Sequence, residues 1–283
     1  MARTLTLVAV AALAFVSFFI FTRNLARPIV TKPTEAPEKI TKTAGEDPSG
    51  KYLAAKTWPE YFITVLSDSR LKVDTEVVRI LSSRAGKIDY GFLYSDSSIQ
   101  KGKAFLKSNG TVLARAYKTY GVAPNFTTAV LKLETDLGDL VGDHLAVNAL
   151  YSICLFSEKR GKSAAKELRA FLEICMKNEW DPFSIRSSWV GAFGISQFMP
   201  RSFKVFAVDG NDDGVVDPFN MDDAIAGTGN FLKRHGWRVG DPSTQRTALK
   251  SYNRGSYAGA VLKYAALLEE APKKARFKTP AKR

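Results

Sequence analysis

From Trp58 onward the apolar residues recur at intervals of three and four, and this periodicity limits the fold more than any other feature of the chain. Phe62, Val65 and Leu66 suit one amphipathic face, and Val77, Val78 and Leu81 suit another. The spacing predicts a long helix over Ile99–Tyr120, with Gly121 just past its end and Pro124 beyond, and further helices over 126–137, 145–156, 164–176, 223–235 and 256–268. Only 87–93 (KIDYGFL) reads as a short extended piece, and no internal repeat is visible. The expected fold class is therefore mainly α, with the chemistry in the turns. A hydrophobic content of 45% with 11% aromatics over 283 residues suits a folded chain and excludes both a disordered polymer and a multi-span membrane protein.

The net charge of +13 invites a nucleic-acid reading, and its distribution argues against one. Six of those charges fall in residues 273–283 and two in the first fifty, which leaves only five on 51–272. Leu5–Phe21 is an uncharged run of 17 residues, at the short end of a membrane span and the long end of a signal-peptide core. With no good cleavage site after it, residues 1–21 read as a transmembrane anchor in preference to a cleaved signal, although Arg23, Arg27 and Lys32 run against the positive-inside tendency. Either reading exports the rest of the chain. Residues 22–50, with Pro28, Pro33, Pro37 and Pro48, read as an unpacked tether, and 271–283 as a basic disordered tail. Two Cys and two His are too few for most zinc and iron–sulfur sites, and Cys154 and Cys175 are open to a disulfide or to two buried thiols.

One acidic residue is placed for chemistry. In 126–138 (FTTAVLKLETDLG), Phe126, Ala129, Val130, Leu133 and Leu137 form a single stripe, with Glu134 on one margin and Asp136 on the other. A carboxyl at the edge of an apolar face is partly desolvated, which raises its pKa and keeps a proton available near neutrality. Taken alone, a boundary glutamate is more commonly a surface or salt-bridged residue. Its company changes the reading. Residues 188–200 (SWVGAFGISQFMP) combine flexible glycines with the amide of Gln197 and the apolar Phe198 and Met199, while Tyr252 and Asn253 offer a ring and an amide in a turn. Amides, hydroxyls and aromatic faces together suit an N-acetylated sugar.

The order of these pieces resembles the lytic murein transglycosylases of the B type. The matching segments are Tyr120-Gly121-Val122, Glu134-Thr135-x-x-Gly138, Gly194-x-x-Gln197-Phe198-Met199-Pro200, Asp209-x-Asn211-x-Asp213-Gly214, His235-Gly236-Trp237 and Tyr252-Asn253, within about 91–268. The resemblance implies a lysozyme-like catalytic domain over 119–270 behind a small helical N-terminal subdomain at 51–118. It also implies cleavage of the β-1,4 bond between N-acetylmuramic acid and N-acetylglucosamine without water, leaving a 1,6-anhydro end. Glu134 would be the single acid/base, and Ser188, Gln197, Phe198, Tyr252 and Asn253 would hold the sugar. Peptidoglycan would be the partner, the periplasm the location, and an envelope protein complex a possible recruiter. The chain departs from the family in three places: only 14 residues separate Trp237 from Tyr252, Tyr257 lies one residue out of register, and Lys159-Arg160 is all that remains of an arginine-rich segment. A hydrolytic muramidase and a non-catalytic wall-binding scaffold are the rival readings.

Residues 209–217 (DGNDDGVVD) open like an EF-hand calcium loop, with Asn220 where the closing Glu belongs. The resemblance supplies Asp223 as the closing ligand. The implied set for a structural calcium is Asp209, Asn211, Asp213, the Val215 carbonyl and Asp223, against a simple polar turn in which Asp222 caps the next helix.

Overall fold

A computed structural model describes residues 59–83 and 89–269. The proposed anchor, tether and basic tail lie outside these residues, as does the start of the 87–93 segment. Among the described residues there are eleven α-helices and one two-stranded sheet. They are α1 (Glu60–Leu66), α2 (Thr75–Ser82), a 3-10 turn (Gly91–Tyr94), α3 (Asp96–Ser108), α4 (Gly110–Tyr120), α5 (Pro124–Thr135), β1 (His144–Leu145) and α6 (Ala146–Phe156). The chain continues through α7 (Glu158–Asn178), β2 (Arg186–Ser187), α8 (Pro200–Phe206), α9 (Met221–Arg234), α10 (Pro242–Tyr252) and α11 (Tyr257–Glu269). Among the described residues no helix is long and apolar enough to cross a membrane.

Helix α5 is the axis of the molecule. Pro124 occupies its first position, where the missing N–H is no loss, and Asp136, Leu137 and Gly138 all take positive φ (53°, 67° and 98°), which stops it abruptly. Helices α3, α4, α9 and α11 pack around it, so every residue from Thr127 to Thr135 is buried. A helix surrounded in this way need not be apolar all round, but its polar groups must find partners. The remaining core is built on α6 packed against α7, with α2 resting on α6 and α1 on α7. Buried Phe62, Val65, Val77 and Leu93 share one apolar cluster with Val130, Leu133, Leu150 and Phe171. Strands β1 and β2 pair antiparallel, His144 opposite Ser187 and Leu145 opposite Arg186, and bring the 188–200 segment across α6.

Two local expectations, the 99–120 helix and the extended 87–93 piece, need correction. The predicted 99–120 helix is two helices, broken at Asn109, whose side-chain amide donates to the Phe105 carbonyl at 3.1 Å. The break lets α3 lie on α5 and α11 while α4 turns to lie along α9. Pro200 is the first residue of α8, where its missing N–H is no loss. Residues 91–94 of the expected extended piece form the 3-10 turn. Pro242–Tyr252, with no distinct apolar pattern, is helical because Asp241 caps it, accepting from the Ser243 and Thr244 N–H groups. Cys154 and Cys175 are free and buried, and burial pushes each thiol up to about 12.

Candidate active site

Glu134 sits one residue before the end of α5 and is only 5% exposed. Its neighbourhood is drier than the margin of a stripe, because α11 covers the side that the 126–137 pattern leaves polar. Burial pushes the carboxyl from the usual 4.5 up to about 8, opposed by one hydrogen bond, in which the Tyr257 hydroxyl donates to Glu134 Oε1 at 2.6 Å. The carboxyl is therefore largely protonated at neutral pH. Asp136, on the opposite side of the helix end, is held by Lys132 and by Lys101 at 2.6 Å, and Lys101 also reaches Asp139 at 2.6 Å. Two carboxylates two residues apart thus have separate environments, one dry and uncharged, one salt-bridged.

Tyr257 is the residue that the sequence reading missed. It is fully buried at the start of α11, and its ring stacks on Tyr252 at 6.1 Å and 11°. The first turn of α11 delivers the Tyr257 hydroxyl to Glu134. Tyr252 lies between Tyr257 and a cluster of Phe198 and Phe231, at centroid distances of 5.9 and 4.6 Å, and donates to the Ser196 carbonyl at 2.7 Å. Burial, with the Glu134 charge second, raises the Tyr252 phenol well above its ordinary range, so it remains a donor.

The 188–200 segment folds as two successive turns. Gly191, Gly194 and Gln197 take positive φ (84°, 75° and 49°), and Phe193 bridges antiparallel to Phe198. Gly194 has no alternative, since a Cβ there would lie 2.5 Å from the Pro218 carbonyl oxygen. The Gln197 side-chain amide donates to the Gly194 and Val141 carbonyls at 2.9 and 3.1 Å, which leaves its oxygen as an acceptor with no hydrogen bond among the described residues. Thr135, next to Glu134, donates to the Ile195 carbonyl at 2.9 Å and ties this segment to the end of α5. The structure thus gathers Glu134, Tyr252 and Phe198, with Gln197 adjoining. Ser188 is buried and exchanges hydrogen bonds with Ala192, and Asn253 is buried in extended backbone just past α10; neither hydrogen-bonds Glu134.

In the acidic loop, Asp209 Oδ1 accepts from the Asp212 N–H at 2.7 Å and Oδ2 from the Gly214 N–H at 2.7 Å. Asp223 is buried and accepts from Gly210 and Asp217 N–H groups, both at 2.7 Å. Its pKa is raised, first by burial, with the Asp209 and Asp213 charges as smaller causes. Among the described residues no group of three or more His, Cys, Asp or Glu side chains is arranged to hold a metal ion. The helix-cap alternative is also corrected: Asn220 caps α9, accepting from Asp222 and Asp223 N–H, while Asp222 pairs with Arg115 at 3.3 Å.

The site is thus a buried acid at the end of a central helix, under an aromatic wall and beside a glycine-rich turn, in a mainly helical, lysozyme-like fold. Residues 51–273 match the transglycosylase SLT domain, and the chain belongs to that family. Over 144 residues it is 33% identical to membrane-bound lytic murein transglycosylase B of Escherichia coli (strain K12), an alignment covering 51% of this chain and 40% of that protein. The chain thus matches well under half the length of this relative. In fold it is similar to the soluble lytic transglycosylase SltB1 of Pseudomonas aeruginosa, with a TM-score of 0.70 and 22% identity over 78% of this chain and 96% of the other. It is also similar to the Escherichia coli lytic transglycosylase Slt35 in complex with calcium, with a TM-score of 0.69 and 21% identity over 78% and 91%.

Proposed function

We propose that this protein is a peptidoglycan lytic transglycosylase that cleaves the MurNAc-β-1,4-GlcNAc bond with Glu134 as its single acid/base. The observation that carries the reading is the dry, protonated Glu134 beside Tyr257, with Asp136 neutralised elsewhere. Glu134 gives its proton to the glycosidic oxygen as the bond to the anomeric carbon breaks. The resulting carboxylate then takes the proton of the muramoyl 6-hydroxyl as that oxygen bonds to the anomeric carbon. The acid is restored and no water is consumed. A retaining hydrolase needs a second carboxylate about 5 Å away, and an inverting one a base at about 6.5–9.5 Å; the acid next along the chain, Asp136, is taken up by Lys101 and Lys132. Gln197, Phe198 and Tyr252 line the sugar site, with Ser188 and Asn253 in its outer wall.

Mass spectrometry of soluble products from purified sacculi tests the reading. Anhydromuramic ends are expected, and Glu134→Gln should abolish them. Reducing muramic ends would establish a hydrolytic muramidase, and sacculus binding without release a scaffold.

The proposal extends to location and metal. Residues 5–21 hold the enzyme in the inner membrane facing the periplasm, consistent with the membrane-bound relative. A structural calcium in the 209–223 loop is supported by the D-x-N-x-D-G opening of that loop and by the calcium complex of Slt35. Asp209, Asn211, Asp213, the Val215 carbonyl and Asp223 would hold it. Excess calcium should raise the melting temperature, and an unchanged melting curve would remove the metal from the reading.

A further inference from the structure

We infer that Glu167 is a positioning residue for the Gln197–Met199 turn, acting through the first turn of α8. The inference rests on the proposed glycan site and concerns a residue on α7, outside it.

Glu167 is a carboxylate only 4% exposed, and the other residues that α7 buries are Gly, Ala, Leu, Ile, Phe and Cys. Buried charges persist where their hydrogen bonds are complete. Glu167 Oε2 accepts from the Arg201 backbone N–H at 2.9 Å, and Oε1 from Arg201 Nε at 2.8 Å. Helix α8 begins at Met199 and Pro200 with no side-chain cap of its own, and Pro200 has no N–H. The first unsatisfied donor of the helix is therefore Arg201 N–H, and it is a distant helix that satisfies it. A second rung follows one turn on, where Lys204 donates to Glu173 at 2.5 Å.

The segment so anchored carries backbone strain. Gln197 holds φ +49°, a conformation that a non-glycine residue keeps only when both ends of the turn are fixed. Its upstream end is fixed by the Gly194 turn, where the Gln197 N–H donates to the Gly194 carbonyl at 3.1 Å and Phe193 N–H to the Phe198 carbonyl at 3.0 Å. Its downstream end is Met199–Arg201, where Glu167 holds both the backbone N–H and the side chain of Arg201. Packing runs the same way: Phe171, one turn beyond Glu167, meets Phe193 edge-on at 5.9 Å, and Phe193 meets Phe203 of α8 at 5.1 Å. Loosening Arg201 frees Gln197 to relax toward negative φ, which withdraws its amide oxygen from the site and shifts Phe198 against Tyr252.

Hydrogen exchange of the full chain and kinetics on soluble uncrosslinked glycan strands test this together. In Glu167→Ala, the Phe193 and Gln197 amides should exchange at least roughly tenfold faster while α5 and α6 amides stay protected. The KM should rise roughly tenfold with kcat within about twofold, the signature of lost ground-state contact. Adding Gln197→Ala should worsen KM little further, because both changes remove one contribution. Should Glu167→Ala fail to fold, Glu167→Gln keeps an acceptor for the Arg201 N–H without the ion pair, and an intermediate exchange rate and KM are expected. A lower melting temperature with unchanged Phe193 and Gln197 exchange in whichever variant folds would overturn the inference. A wild-type protein inactive on glycan would instead sink the functional reading, and the exchange result would still stand or fall on its own.

Discussion

Replacing Glu134 with Gln should inactivate the protein and, at neutral and alkaline pH, stabilise it. The carboxyl has a folded-state pKa of about 8 against 4.5 when exposed. Between those values the unfolded chain releases a proton that the folded chain keeps, so stability falls as pH rises through this window and levels off above it. The linkage is worth about 1.4 kcal/mol per pH unit, which amounts to about 3 kcal/mol by pH 7 and about 5 kcal/mol once pH exceeds the folded value. Gln has the same shape, keeps an oxygen to accept from the Tyr257 hydroxyl, and cannot ionise. The other titrating groups cancel in the difference between the two proteins. The melting temperatures of wild type and Glu134→Gln should therefore differ by a nearly constant amount below pH 4.5. Above that pH they should diverge in favour of the variant, by roughly 6–12 °C at pH 7 at about 2–4 °C per kcal/mol for a chain of this size. Thermal melts at half-unit steps from pH 4 to 9 measure this. A flat difference across the range would show that Glu134 ionises as freely as in water, and the argument from a dry acid would fail.

Three further outcomes follow from the same geometry. Activity, read as kcat/KM on soluble glycan, should fall above about pH 8 with unit slope as the Glu134 proton is lost. Tyr257→Phe removes the one hydrogen bond that favours the carboxylate form, so that alkaline limb should move to higher pH while stability drops by about 1 kcal/mol in denaturant titration. A limb that stayed in place would mean the pair does not exist in solution. Gly142→Ala should cost about 3 kcal/mol or more by the same titration, since its φ is +108° and the new Cβ would stand 2.1 Å from the Ser187 carbonyl oxygen and 2.7 Å from Ser188 N.

The sequence by itself determined the class of the fold and set the two acids at the end of α5 apart. Helical spacing over 126–137 and 145–156 identifies α5 and α6 nearly to the residue, since an amphipathic face repeats locally every three to four positions. It also separated Glu134 from Asp136, because two positions on a helix differ by about 200° whatever surrounds them. Periodicity reports only the face a helix turns to its first neighbour. It could not show that α5 is enclosed on all sides, which is what raises Glu134 from a marginal carboxyl to a protonated one. Asn109 was hidden within a pattern that runs unbroken on either side of it, and the break is decided by the different partners of α3 and α4. The Tyr257–Glu134 bond spans 123 residues of sequence and the Glu167–Arg201 pair 34, and no local pattern encodes which side chains meet across such distances. Those contacts exist only once α11 closes over α5 and α8 docks on α7. Tertiary structure alone therefore decides how dry the acid is and how firmly the turn beside it is held.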